Sequence, residues 1–595
     1  MRGDRIGRVT RTGRRVTRVT RAGRRAEEIV GAPDPGDVDW PEPADLPAAA
    51  ERPTPQPAEQ PAAAGRATPE PADEDRPDRP PDPAVPPLTY PEAVAALTAR
   101  GRFGIRLGLG RTRALLRALD DPQAGIRGAL IAGTNGKGSV QALVSAMLRE
   151  AGYRVGQAPK PHLVEYRERI VVDGSPIETA DMAALVARTL SIADRLPRRL
   201  GSPTEFEVVT AAAFAWFAER GVDVAVVEVG LGGRLDATNA WDGGVAAVTN
   251  VAMDHAEWLG GTIPLIAREK AAILKRGDLA VTGAAGEALE VVRRRAHRMG
   301  APLVEMAPLP VLGIDRHGVR VDAPGLGDVR IGLLGRHQAA NAAVALGVVD
   351  ALEEAGIAVV PAQARRDGLA AARWPGRLEL IELPGTPQPG RGAPAETSWT
   401  ADLGRHGGQR RSVDLVLDGA HNPAGARALA EALDELRPSL APGPAALLLA
   451  IMRDKDVSGM VERLVAAAAL REARLVATRV TARGMDPAEL AAAWRAALER
   501  ASAPAGVRGA QTGRRGAPAD RRCTQTGSGR PGGRRGAQTG PGNPGGPVDV
   551  VPSPEEALDH AIRQARAAGG PLVVAGSLYL VGAVRGILQS RGLVR

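Results

Sequence analysis

The segment Gly133-Thr134-Asn135-Gly136-Lys137-Gly138-Ser139 constrains this chain more than any other. An apolar run, Ala129 to Ala132, leads into it and a helical pattern, Ser139 to Ala151, leaves it. A strand that turns through glycines into a helix aims backbone N–H groups and the positive end of the helix dipole at one point, which suits a phosphate. Lys137 stands where it reaches the terminal phosphates of a nucleotide. The spacing departs from the common phosphate-loop pattern, since Ile131 occupies the position of that pattern's first glycine. The competing reading is a Gly-rich turn carrying a solvated lysine.

Around this loop, short apolar runs alternate with longer helical patterns, the signature of a doubly wound α/β fold with a parallel sheet. The strand candidates are Ala129 to Ala132, Val222 to Val229, Val245 to Thr249, Val413 to Leu417, Ala446 to Ile451, Arg474 to Ala477 and Leu572 to Ala575. Helices are expected at Ser139 to Ala151, Val208 to Arg220 and Asn341 to Ala355. At 595 residues the chain exceeds one hydrophobic core. Arg373-Trp374-Pro375-Gly376 interrupts the pattern, so domains are expected at 87–372 and 373–595. Residues 1–86 mix arginine with Pro, Ala, Asp and Glu without period and read as a disordered tail. A Gly/Arg/Pro-rich stretch, 501–547, reads as a low-complexity insertion, and Pro384 to Arg411 as an extended loop.

The net charge of +9 is unevenly placed, with ten arginines in the first 25 residues. Such a block is usually a solvated tail, although it also motivates a different class of function, a nucleic-acid-binding protein with a degenerate ATPase. Only five lysines occur: Lys137, Lys160, Lys270, Lys275 and Lys455. In so arginine-biased a chain, a surviving lysine marks a place where a compact ammonium is needed. The single cysteine, Cys523, forms no internal disulfide, and no apolar run reaches the length of a membrane span, so a cytoplasmic protein is expected.

Four more segments carry chemistry. Val224 to Val229 delivers Glu228 to the carboxyl end of a parallel strand, where ligands of such sheets collect, and a carboxylate there holds magnesium or pairs with Arg234. The strand Val245 to Thr249 leads to Asp254-His255, whose imidazole is either a metal ligand or a satisfied loop residue. Lys270 heads an apolar turn and either becomes modified or pairs with Glu269 or Glu228. After the strand Val413 to Leu417, Asp418-Gly-Ala-His421-Asn422-Pro423 suits a ribose or base contact, or an Asx-turn.

With these segments the chain resembles the folylpolyglutamate synthase and dihydrofolate synthase family of the Mur ligase superfamily. G-T-N-G-K-G-S, T-E-F-E, E-V-G-L-G-G-R-L-D-A-T-N, D-H, R-E-K-A, H-Q-A-A-N, W-P-G-R, D-G-A-H-N-P, D-K-D and A-G-S-L-Y-L-V-G follow in the family's order between about Tyr90 and Gly582. The resemblance implies a P-loop-containing Mur ligase-type central domain with a smaller Rossmann-like C-terminal domain and substrate in the cleft between. It implies ATP and Mg2+ as cofactors. Thr134, Asn135, Gly136, Lys137, Gly138 and Ser139 would cradle phosphates, with Asn341, Arg377 and Asp418 on the nucleotide. Glu228, His255 and Ser139 would hold magnesium. Thr204, Glu205, Phe206, Glu207, Leu235, Asp236 and Ala237 would line the pterin site. Lys137, Lys270 and His255 would serve catalysis, Lys270 matching a lysine carbamylated in relatives.

The implied activity is ATP-dependent joining of a folate or pteroate carboxylate to L-glutamate through an acyl phosphate. The expectation is a bifunctional enzyme using dihydropteroate or tetrahydrofolate, acting as a monomer without nucleic acid or membrane. Folylpolyglutamate synthesis alone and a cell-wall Mur ligase are the alternatives. One departure stands out: Pro159-Lys160-Pro161-His162-Leu163 replaces the family's T-S-P-H-L, whose serine lies on a magnesium, and an ammonium cannot ligate a metal. Lys160 either neutralises phosphate charge, or leaves its place to water, or is solvated in a drifted loop.

Overall fold

The computed structural model describes residues 15–16, 87–101, 108–385, 412–502 and 548–594. Within them lie a nine-stranded sheet, a three-stranded sheet and a six-stranded sheet. Six strands of the largest sheet run parallel, in the spatial order Leu303–Glu305, Leu279–Thr282, Gly244–Val248, Arg127–Ala132, Val224–Glu228, Val155–Ala158. Arg127–Ala132, first in sequence, sits between strands that follow it on either side. This is the point where strand order reverses, and a crevice opens outside its carboxyl end.

Alternate residues of that strand serve two cores. Ala129 and Ile131 pack with the helices Lys137–Glu150 and Gln338–Glu354, whereas Leu130 and Ala132 pack with Glu205–Glu219. Covering on both faces explains why these strands read as continuous apolar runs rather than alternations. Aromatics are few, and Phe214, Phe217 and Trp241, all fully buried, supply bulk to a core otherwise built of Ala, Val and Leu.

The six-stranded sheet has the order Glu379–Leu383, Val413–Leu417, Leu572–Ala575, Ala446–Leu449, Arg474–Ala477, Val548–Val550, parallel except for the first strand. The antiparallel sheet Val311–Asp315, Gly318–Ala323, Gly327–Ile331 shares a core with the helix Gln338–Glu354. No helix among the described residues is long and apolar enough to cross a membrane.

Several boundaries differ from the sequence reading for local reasons. The helix expected from Ser139 begins at Lys137, because Gly136 takes the left-handed conformation (φ 82°) that ends the loop. The helix expected from Val208 begins at Glu205. There Thr204 and Glu207 form a capping box, each accepting from the other's backbone N–H. The helix Pro487–Ser502 takes in Ala501 and Ser502, assigned from sequence to the insertion. Residues 503–547 and 386–411 lie outside the described residues, as does the tail 1–86 except Arg15–Val16. Those two residues pair antiparallel with Glu305 and Val304, where no strand was expected; the edge strand offers its unpaired backbone groups.

Candidate active site

The loop Gly133 to Ser139 leaves the central strand at its carboxyl end and starts a helix whose first turn has no side-chain cap. Its N–H groups therefore remain available to an anion. Protein neighbours also require these glycines. A Cβ on Gly136 would lie 2.2 Å from Asn341 Oδ1, and one on Gly138 2.7 Å from Trp374 Nε1. Asn341 and the Trp374 of W-P-G-R are thus pressed onto the loop. Thr134 Oγ1 bonds the Ala252 carbonyl and N–H, and the Asn135 carbonyl accepts from Thr249 Oγ1. Both tie the loop to the neighbouring strand's end.

Two ammonium groups meet here. Lys137 Nζ donates to the carbonyls of Gly133 (3.1 Å) and Thr134 (3.2 Å), and Lys270 Nζ donates to the same Gly133 carbonyl at 2.8 Å. Burial lowers the Lys270 ammonium to about 7, and the Lys137 charge pushes it the same way. Neither Glu269 nor Glu228 pairs with Lys270, because Glu269 binds Arg234 at 2.9 Å. That bond also removes Arg234 as a partner for Glu228. Instead Glu228, 4 % exposed, lies 3.9 Å from Lys137 Nζ and accepts the Lys160 N–H at 3.3 Å. Burial raises its pKa, which Lys137 opposes.

His255 occupies a left-handed position (φ 50°) at the start of a short helix, with its side chain 40 % exposed. Burial of the ring, only partly offset by Asp254, lowers its pKa and keeps the imidazole neutral, the form that ligates metals. Ser139 is buried in the first turn of the loop's helix. No three His, Cys, Asp or Glu side chains among the described residues gather to hold a metal. Magnesium needs no such cage; it takes one or two carboxylates with phosphate and water oxygens, and Glu228, buried beside the Lys137 ammonium, offers one such carboxylate.

The supposed pterin residues divide. Thr204 and Glu207 spend their polar atoms on the capping box, and Glu207 also takes both of its oxygens to Arg111 Nε at 3.0 and 2.9 Å. Glu205 accepts from the Tyr166 hydroxyl. Asp236 accepts the N–H groups of Gly230, Leu231 and Thr238 and the Thr238 hydroxyl, so it organises the turn that Leu235 and Ala237 flank. Phe206 alone of T-E-F-E turns toward the turn that follows Glu228, within 2.9 Å of a Cβ built on Gly230. Lys160 is not solvated: its Nζ lies 3.4 Å from the centroid of the Phe206 ring.

Asp418 accepts the N–H of Ala420, closing an Asx-turn, and that of Leu378. Beside it Arg377 is held partly buried between the charges of Asp418 and Glu228. The sequence reading assigned no role to a polar network that joins the two large sheets. Asp254, beside His255, receives Lys455 Nζ at 2.8 Å and Asn422 Nδ2 at 3.0 Å, with His421 Nε2 at 3.7 Å. Asn422 Nδ2 also reaches Asn135 Oδ1 at 3.1 Å, on the phosphate loop. Lys455 had two signals in sequence, the scarcity of lysine and its place in D-K-D, but neither named a partner.

Residues 131–349 match the Mur ligase middle domain and 405–515 the Mur ligase glutamate ligase domain. The dihydrofolate synthase/folylpolyglutamate synthase of Bacillus subtilis is 35 % identical over 385 residues, 63 % of this chain and 82 % of the relative. The chain belongs to the dihydrofolate synthase/folylpolyglutamate synthase family. It is accordingly an ATP-dependent ligase of the Mur ligase superfamily. The enzyme of the same name from Mycobacterium tuberculosis is 37 % identical over 380 residues, 60 % of this chain and 72 % of that one. A structure of Mycobacterium tuberculosis folylpolyglutamate synthase complexed with ADP and AMPPCP superposes with a TM-score of 0.63 at 29 % identity, covering 83 % of this chain and 98 % of its own. In this chain the glycine-rich loop leaves the central strand at the strand-order switch, with Glu228 3.9 Å from its Lys137 Nζ.

Proposed function

We propose that the protein is a bifunctional dihydrofolate synthase and folylpolyglutamate synthase, joining L-glutamate to the carboxylate of dihydropteroate or of a tetrahydrofolate at the expense of ATP. The supporting observation is the convergence of Lys137, Lys270 and Glu228 at the carboxyl end of the central strand, around an uncapped helix N-terminus. Folate names on relatives matched over most of their length set the cell-wall alternative aside.

In this reading the N–H groups from Gly136 to Ser139 and the Lys137 ammonium hold the terminal phosphates, while the N–H groups of Thr134 and Asn135, both donated to Asn250, fix the loop's shape. Asn341, Arg377 and Asp418 flank the nucleoside. Glu228, Ser139 and His255 would hold magnesium, which when bound supplies positive charge against the transferring phosphoryl group. The acceptor carboxylate attacks the γ-phosphorus in line and ADP departs. The glutamate amine then attacks the acyl carbon, phosphate leaves, and an amide remains. The chain's contribution is chiefly positioning and charge neutralisation. Lys270, with an ammonium lowered toward neutrality, is ready for carbamylation, which would turn a cation into a carboxylate beside the loop.

We further assign residues 87–372 to the ATP-binding domain and 373–595 to the C-terminal ligase domain, with the acceptor in the cleft and Thr204 to Glu207 and Leu235 to Ala237 along its wall. The chain works as a monomer in the cytoplasm. Assaying ADP release with glutamate and either dihydropteroate or tetrahydrofolate tests the reading. Turnover with both acceptors is expected. Turnover with tetrahydrofolate alone would reduce the enzyme to polyglutamate synthesis, and none with either would refute the assignment.

A further inference from the structure

Lys160 stands apart from the other cations of the cleft. Its N–H is tied to Glu228 Oε2, at the phosphate end, while its side chain runs the other way to Phe206 and to Thr210 Oγ1, 3.4 Å from Nζ. Phe206 and Thr210 lie one turn apart on the helix Glu205–Glu219 and share a face. No carboxylate among the described residues lies within ion-pair distance of this ammonium. Asp236 is the leading charge that opposes its burial, and the two oxygens of that carboxylate are already occupied by Gly230, Leu231 and Thr238. A π face attracts an ammonium but accepts no directed hydrogen bond of full strength, so two of its three donors stay uncommitted. Burial lowers the Lys160 ammonium to about 7, and an anion on a ligand lying between Phe206 and Glu228 would hold it charged.

We infer that Lys160 binds the carboxylate of the acceptor, the group that becomes the acyl phosphate. This rests on the folate-ligase reading and deepens it. Of the two acceptors, dihydropteroate carries its carboxylate on the benzoyl ring and matches a cation poised over an aromatic face, whereas tetrahydrofolate brings its carboxylate on a glutamyl side chain. Phe206 then meets the benzoyl end of the acceptor rather than its pterin. One carboxylate oxygen forms the new bond to the γ-phosphorus as the bond to the ADP oxygen breaks and its electron pair leaves with ADP. The other oxygen stays hydrogen-bonded to Lys160, which keeps its protons. When the amine adds to the acyl carbon, charge grows on that same oxygen and Lys160 stabilises it. The C–O bond to phosphate then breaks, phosphate carries off the pair, and the amine's surplus proton passes to water. The alternative oxyanion, the terminal phosphate of ATP, already has Lys137 and the loop N–H groups, and the Lys160 ammonium points away from them.

The test compares binding of dihydropteroate with that of its carboxamide, both measured by calorimetry with magnesium and a non-hydrolysable ATP analogue present. The native enzyme should bind the carboxamide about ten- to a hundredfold more weakly. Lys160→Met should erase most of that gap while leaving the analogue's own affinity unchanged, and Lys160→Arg should restore much of it. A full gap in Lys160→Met overturns the inference. So does a loss of ATP-analogue affinity in Lys160→Met that matches the loss for dihydropteroate, since it moves the ammonium onto phosphate. A native enzyme that binds neither dihydropteroate nor tetrahydrofolate defeats the folate reading itself, a result distinguishable from an unchanged gap.

Discussion

The two ends of the large parallel sheet both hold partly buried lysine, and they treat it differently. At the amino end, before the strand Leu279–Thr282, Lys275 lies beside Asp278 and Asp242, whose charges oppose the loss of its own. Asp278 accepts the Lys275 N–H, and its carboxyl is raised to about 6, mainly by burial and then by Asp242. At the carboxyl end, Lys137 and Lys270 converge on one carbonyl, and Lys160 lies on a ring. Of the carboxylates nearby only Glu228 approaches these cations, 3.9 Å from Lys137, while Asp236 and Asp418 are engaged by backbone N–H groups and Asp254 by Lys455 and Asn422. Like charges gathered against their own repulsion, with the anions occupied elsewhere, mark a place prepared for an anionic ligand. Opposite charges gathered together mark a place concerned with the fold.

Three substitutions would break or sharpen this contrast. Lys137→Ala should have the largest effect, lowering kcat on the order of a thousandfold, because no other cation reaches the same phosphate from within the loop. Steady-state kinetics with circular dichroism checks it; near-normal turnover would show that Lys270 alone suffices. Lys455→Met should come next. Lys455 and Asp254 are positioning residues, their side chains 11 % and 8 % exposed, and breaking their bond frees the second sheet from the phosphate loop. A loss of about ten- to a hundredfold in kcat is expected, with a smaller change in KM for ATP, rescued by Lys455→Arg. Small-angle scattering should show a more open particle, whereas a purely local packing defect would leave the shape unchanged.

The smallest effect belongs to the amino end. The folded pKa of Asp278 lies above its ordinary 3.8, so the stability its proton confers is complete below about pH 4 and lost as pH rises through about 6. Asp278→Asn mimics the protonated carboxyl at every pH. It should therefore raise Tm, relative to the native enzyme, by roughly 2–4 °C more at pH 7 than at pH 4, without altering kcat. An equal shift at both pH values would mean that the carboxyl ionises freely in the fold.

Much of this was legible along the chain, and where it was not the reason is local or spatial. The central strand, the glycine loop and its helix are contiguous, so their pattern announces them. T-E-F-E contained a capping box, readable from Thr204 and Glu207 three residues apart, yet the resemblance drew attention to ligand binding instead. The Asp254 network joins residues 168 and 201 positions apart, and no local pattern encodes that meeting. Lys160 announced itself as a departure, but whether its ammonium was solvated or enclosed depended on where the helix Glu205–Glu219 lay.

By itself, then, the sequence determined the α/β class, the strand–glycine loop–helix unit and the kinds of side chain available for charge, because hydrophobic period and turn chemistry are short-range properties. Only the tertiary structure decided which charges were already spoken for. That Glu269 takes Arg234, that Asp236 is consumed by its own turn, and that the Lys160 ammonium meets no carboxylate among the described residues follow from how helices and loops pack. An ion's partner is chosen by distance and burial rather than by position in the chain.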